Sequence, residues 1–306
     1  MITREEFHAK CENIISDEDK IEIAKTKRNH KLTYAILLPV EAIIGIILAF
    51  TITISMLFVA VFFILLSILL MFFAYSNKWD KYKNKYATQI IDCLLENHTH
   101  NFNQNGFIHP MIFRSSSFYE PYDDFLGSDL LTIDIPKDDG SLSGIRLNIC
   151  DIQTTKQETT TDADGKTRTS TVTVYSGAFG YIKFPFQFKC DLCLNTSLRG
   201  TSKIKLEDIK FNKTFDVYSN NQLEALVILT PTLMTKLLTL SNNVKGLRFA
   251  LCQDGRLFIS MNRNLFEVKV SKKSSINTLF DRFYDDICNI LAIVDEIKDN
   301  NKVFKM

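Results

Sequence analysis

Glycine and proline are scarce, at 11 and 6 of 306 residues, tryptophan occurs once and histidine five times. So little glycine and proline excludes collagen-like and low-complexity chains. The seven cysteines are odd in number and scattered, which excludes a disulfide framework and suits free thiols in a reducing compartment. A net charge of +1 supplies no general field for phosphates, so nucleic acid is not among the expected partners. No histidine follows His109, so a Ser–His or Cys–His nucleophile would have to draw its base from one early segment. No glycine-rich phosphate loop is present, and no cofactor is expected. The sharpest absence is local: between Leu32 and Tyr75 the only Asp, Glu, Lys or Arg is Glu41.

What fills that stretch is aliphatic and aromatic. Forty-four residues as one helix would measure about 66 Å, roughly twice the hydrocarbon core of a bilayer. Two spans, at about 32–50 and 56–75, use the length, with the hydroxyl-bearing residues Thr51, Thr53 and Ser55 at the break. Lys20, Lys25, Lys27, Arg28 and Lys31 precede the run, and Lys78, Lys81, Lys83 and Lys85 follow it. Both flanks are therefore expected on the cytoplasmic side of a bacterial plasma membrane, with both termini inside. Tyr34, Tyr75 and Trp79 sit at headgroup level in this reading. The run follows 31 polar residues and is too long for a signal core, so it is expected to be retained. Within it, Glu41 is a functional candidate by its cost in lipid, although the stronger reading is structural, with the carboxyl neutral or bonded across the hairpin or a seam between copies. Gly45 and Ala49 form a small-x-x-x-small pair suited to close helix approach.

The resulting organisation is a cytoplasmic N-terminal segment (1–31), a transmembrane hairpin (32–75), a juxtamembrane helix (76–97) and a cytoplasmic α+β domain (98–306). A capping-box pattern at Thr3–Glu6 predicts a short helix. Alternation predicts strands at 130–135, 144–150 and 171–184, separated by a polar, threonine-rich hairpin tip over 153–170 with Asp164-Gly165 in its turn. Asn220 or Asn221 caps a predicted helix over 222–229, and Thr230-Pro231 opens a second to about Leu240. Residues 246–261 read as a hairpin turning at Gln253-Asp-Gly255. Apolar residues at i, i+3 and i+4 from Ile276 to Ile297 predict a closing amphipathic helix. Strands interleaved irregularly with helices point to α+β rather than a doubly wound sheet.

Few constellations carry chemistry. Asp162, Asp164 and Gly165 imitate part of a calcium loop, but Thr171 stands where the bidentate Glu is needed. Cys190 and Cys193 have metal spacing without a second pair, so they read as buried thiols. His98, His100 and His109 read as solvated loop residues. The acid pairs Asp123-Asp124, Asp138-Asp139 and Asp285-Asp286 read as solvated faces or turns. No catalytic or metal-binding residue is assigned. An enzymatic reading would need one of the three histidines set against a thiol or acid in a cleft. The threonine-rich hairpin, with Thr159, Thr160, Thr169 and Thr171, is the candidate edge for strand addition.

Several blocks carry a resemblance: residues 118–125 (FYEPYDDF), 174–180 (VYSGAFG), 205–232 with the following 233–240, 246–261, and 264–267. In that order they resemble the bacterial domain-of-unknown-function family numbered 3137, over roughly residues 30–300. The resemblance implies two close transmembrane helices near the N-terminus and brings no activity and no catalytic residue. Where relatives tend to an acidic pair before Glu224-Ala225, this chain has Asn221-Gln222, and its Cys-x-x-Cys is peculiar to it. The expectation is a membrane-anchored module that binds a protein or peptide, with the bilayer and a second copy of the chain as further partners. The alternative is an oligomeric carrier or channel element working through Glu41.

Overall fold

The computed structural model describes residues 2–14, 18, 85–136, 142–161, 167–266 and 276–300. The hairpin expected over 32–75, with Glu41, Gly45 and Ala49, lies outside the described residues, as do Asp138, Asp139, Asp162, Asp164 and Gly165. Among the described residues no single helix is long and apolar enough to cross a membrane. The chain divides into two compact units.

The smaller unit holds most of α1 (Arg4–Ile14) and a helix over 85–94, here α2. In α1, Phe7 and Cys11 lie one turn apart and both are fully buried, as the 3.6-residue period requires of a helix with one covered face. Burial, with the Cys93 thiol of α2 nearby, pushes the Cys11 thiol up to about 12. The helix predicted to run to about Glu96 thus ends near residue 94.

The larger unit is a mixed α+β domain on a nine-stranded sheet. Its strands are β1 (His100–Asn103), β2 (Asp124–Pro136), β3 (Leu142–Thr161), β4 (Thr167–Lys183), β5 (Leu192–Leu194), β6 (Ser202–Ile204), β7 (Val217–Ser219), β8 (Arg248–Leu251) and β9 (Arg256–Met261). They lie in the order β1-β2-β3-β4-β9-β8-β5-β7-β6, and every pairing is antiparallel. The helices are α3 (Pro110–Ser115), α4 (Ile209–Thr214), α5 (Gln222–Ile228), α6 (Pro231–Asn243) and α7 (Ile276–Asp299).

Side chains alternate across a strand, so register assigns each residue to a face. Cys150, Phe179 and Ser260 lie side by side in register, as do Tyr181, Phe258 and Ala250. That face is covered by the segment before β2, whose Ile108, Phe113, Phe118 and Tyr122 join Phe179 and Phe258 in one buried cluster. Phe113 packs edge-to-face on Phe179 with centroids 4.9 Å apart, a geometry worth about 0.5–1.5 kcal/mol beyond area burial. On the opposite face Leu147, Ile149, Ile182, Ile259 and Phe249 are also buried, and so are the apolar stripes of α6 (Leu233, Leu237, Leu240) and α7 (Ile287, Ile290, Leu291, Val294). Lys298 of α7 donates to the Pro136 carbonyl of β2 at 3.3 Å, which sets α7 beside the sheet. Glu296 of α7 ties the two helices together, accepting from Lys236 at 2.8 Å and from Thr230 at 3.3 Å.

Helix starts follow their caps. Asn221 accepts from the amides of Leu223 and Glu224, and Thr230 accepts from Leu233 with Pro231 at the first helical position. The β8–β9 turn is closed by Gly255, whose φ of +89° and whose approach to the Phe186 carbonyl both exclude a side chain. After β9 the chain is pinned by Asp151, a buried carboxylate that accepts from the amides of Leu265 at 2.7 Å and Phe266 at 3.1 Å.

The crossover from β4 to β9 is tight at Gly177, where a Cβ would lie 1.9 Å from the Met261 carbonyl oxygen and 2.8 Å from the Arg263 amide. Both neighbours are backbone and cannot swing aside. Gly177→Ala is expected to lower stability by about 3 kcal/mol or more, read as a lower denaturant midpoint of the domain. An unchanged midpoint would mean that β4 and β9 do not approach this closely.

Candidate functional site

β3 and β4 are much longer than their neighbours. β2 reaches β3 only as far as Asp124 opposite Thr155, and β9 reaches β4 only as far as Met261 opposite Ala178. Beyond those limits the two strands pair with each other alone, from Lys156 opposite Val172 to Thr161 opposite Thr167. Every side chain over 157–161 and 167–173 is exposed. The result is a two-stranded ribbon that projects from the sheet with both outer edges unpaired among the described residues.

The strands thus run well into the stretch expected to be a hairpin tip. The physical reason is composition: threonine fits the pleat and is content in water, so residues 159–161 and 167–170 carry the ladder on toward the turn expected at Asp164-Gly165. Thr159 lies opposite Thr169, Thr160 opposite Arg168, and Thr171 opposite Gln157. The predicted edge threonines thus share one ribbon.

The base of the ribbon is rigid. Tyr175 is buried, and its hydroxyl donates to the carbonyls of Ala178 at 2.6 Å and Met261 at 3.1 Å. Its ring stands 4.3 Å from that of Tyr119, which is covered in turn by the Arg248 guanidinium at 4.4 Å. On the β2 side, the Gln157 amide donates to the Asp123 carboxylate at 2.8 Å, the last tie before the free edge. A stiff base with a polar, unpaired ladder beyond it can accept a further strand by main-chain hydrogen bonds.

Other predicted residues fall elsewhere. Cys190 and Cys193 are fully buried, and burial pushes the Cys193 thiol up to about 12, as it does those of Cys150 and Cys252. The thiolate, which is the ligand and nucleophile, is disfavoured there. Among the described residues no three His, Cys, Asp or Glu side chains gather as a metal group. The loop expectation for the histidines fails in part. His100 belongs to β1, His98 is half-buried and shifted down chiefly by burial, and only His109 is exposed, capping α3 by accepting from Met111.

The expectation of a solvated acid pair fails at Asp286. In α7, Asp285 is partly exposed and ion-paired with Arg4, whereas Asp286 is 2% exposed and paired with Arg263. Burial, only partly opposed by Arg263, pushes the Asp286 carboxyl up from 3.8 to about 6. Helical periodicity held the hint: Asp286 lies one position before Ile287 and four before Ile290, at the margin of the apolar stripe.

Residues 173–299 match the family described as Protein of unknown function (DUF3137). No curated protein and no solved structure matches the chain. The matched stretch begins in β4 and ends with α7, so it includes the 174–180 and 205–267 blocks. It is shorter than the 30–300 expected and leaves out the 118–125 block and the proposed spans.

Asp286 generates a test. Its raised value means that the folded form holds a proton the unfolded chain has released between about pH 4 and 6, so its contribution to stability is greatest at low pH and is lost as pH rises through 6. Wild-type stability relative to Asp286→Asn is expected to fall by about 2 kcal/mol from pH 4 to pH 7, measured by denaturant unfolding at each pH. A difference that does not vary with pH would return Asp286 to the ordinary carboxylates.

Proposed function

We propose that the protein is a membrane-anchored binding module whose α+β domain captures an extended segment of a protein partner along the β3–β4 ribbon. The observation that carries the reading is the ribbon itself. A solitary two-stranded ladder is marginal in water, and long free edges are a liability that proteins usually cover or shorten. Here the free ladder is kept long, built of threonines with few charges to repel a third strand, and set on a buried tyrosine clamp. Anchoring is supported by the charge-poor run over 32–75 and its lysine-rich flanks, which favour a hairpin with both ends at the cytoplasmic face of a bacterial plasma membrane. The competing carrier reading rests on Glu41 as the single charge in that run.

The test uses the full chain in its own membrane. A photo-crosslinking residue at Thr169 is expected to capture one protein, while the same residue at the exposed helix position Leu223 does not. Shortening the ribbon by replacing 158–170 with Asn-Gly is expected to abolish capture and leave the unfolding midpoint within about 0.5 kcal/mol of wild type. In the complex, amides over 167–173 are expected to exchange more slowly. Retention of the same partner by the shortened protein would overturn the ribbon assignment. Loss of a solute flux on Glu41→Gln, with the partner unchanged, would favour the carrier.

The anchor is checked separately. The chain is expected to resist alkaline extraction from membranes and to yield both termini to protease only in inverted vesicles. Release at high pH would remove the hairpin.

A further inference from the structure

The C-terminal end of α6, the residues following β9 and one turn of α7 surround an open polar cleft of about 490 Å³. All its lining residues belong to the larger unit. Its inner wall is Asp286. One carboxylate oxygen is held by the Arg263 guanidinium, which also donates to the Asn243 carbonyl at 3.2 Å. The other, Oδ1, is buried without any hydrogen-bond partner. A buried carboxylate oxygen left unpaired is costly, and native structures seldom leave one so.

The rim is cationic. Lys245 and Arg282 line the cleft, both are exposed, and neither forms an ion pair among the described residues. The second acid of the lining, Asp285, is taken by Arg4, so the charge left to a ligand is positive. Amides supply neutral donors and acceptors between rim and floor. Asn262 is held over Gly246, whose φ of +66° lets the backbone pass where a Cβ would strike the amide.

We propose that this cleft binds a small hydroxylated phosphomonoester, with a ligand hydroxyl donating to Asp286 Oδ1 and the phosphate held by Arg282 and Lys245. Each part answers a feature of the cleft. The orphan oxygen asks for a donor. An ammonium would add positive charge beside Arg263, Arg282 and Lys245, whereas a hydroxyl adds none. Two unpaired cations match a dianionic phosphate, while a carboxylate or a phosphodiester lipid headgroup would neutralise only one. The volume lies within the range that accommodates small metabolites. The site stands independently of the ribbon and would survive the failure of the strand-addition reading.

The test titrates the full chain, in phosphatidylcholine nanodiscs at pH 7.5, with ribose 5-phosphate by calorimetry. Saturable binding is expected, at least tenfold tighter than that of inorganic phosphate or ribose. Arg282→Gln, an exposed position, is expected to weaken ribose 5-phosphate at least tenfold without altering the unfolding midpoint. Asp286→Asn is expected to erase the preference for ribose 5-phosphate over inorganic phosphate. Absence of saturable binding at millimolar ligand, or binding indifferent to Arg282→Gln, would overturn the proposal. So would nanodiscs of phosphatidylglycerol protecting the cleft amides from exchange while ribose 5-phosphate fails to bind, because that outcome assigns the site to a lipid headgroup.

Discussion

The pairing of β4 with β9 is the contact on which the rest of the domain depends. It joins residues 178–183 to 256–261, far apart in the chain, and therefore carries the loop-closure cost of everything between them. What offsets that cost is burial on both faces of the joined strands. Phe179 and Phe258 meet the aromatic segment before β2, while Ile182 and Ile259 are buried on the opposite face. The same pairing directs the chain after β9: Arg263 gives its carbonyl to the Ala178 amide, and Asp151 then takes the amides of Leu265 and Phe266. Without those ties Arg263 would not reach Asp286.

The two candidate sites arise where this double covering stops. Full burial ends at Thr154 on β3 and resumes at Tyr175 on β4, and from Gln157 and Thr173 outward every described side chain is exposed, so the ribbon stands free in water. At the other margin, α6 ends at Asn243 and the chain turns through Lys245 and Gly246 into β8, leaving polar side chains opposite the α7 turn that carries Asp285 and Asp286. One site is an edge that exposes backbone. The other is a hollow that exposes side chains around a half-satisfied carboxylate.

Much of the fold was legible because its signals are short-range. Asn221, Thr230 and Pro231 mark helix starts through bonds spanning two or three residues. Gln253-Asp-Gly255 marks its turn through a backbone conformation that glycine adopts freely. The period of α7 was readable over six turns. The strands β1, β5, β6 and β7 were not, since three or four residues show no period, and their identity rests on the neighbours they pair with. That is why His100 passed for a loop residue. Cys190 and Cys193 were correctly read as buried, because a lone pair of thiols lacks the further ligands a metal requires.

The amino-acid sequence by itself determined the α+β composition, the capped helices, the β8–β9 turn, the threonine-rich character of the ribbon and the charge-poor run over 32–75, each fixed by residues close together in the chain. Tertiary structure alone decided the order of the nine strands, how far the ribbon projects, and the fate of the Asp285-Asp286 pair. The reason is one of range. Adjacent carboxylates on a helix are equivalent until a neighbouring segment arrives, and here Arg263, delivered by a strand pairing between distant parts of the chain, buries one and leaves the other to Arg4.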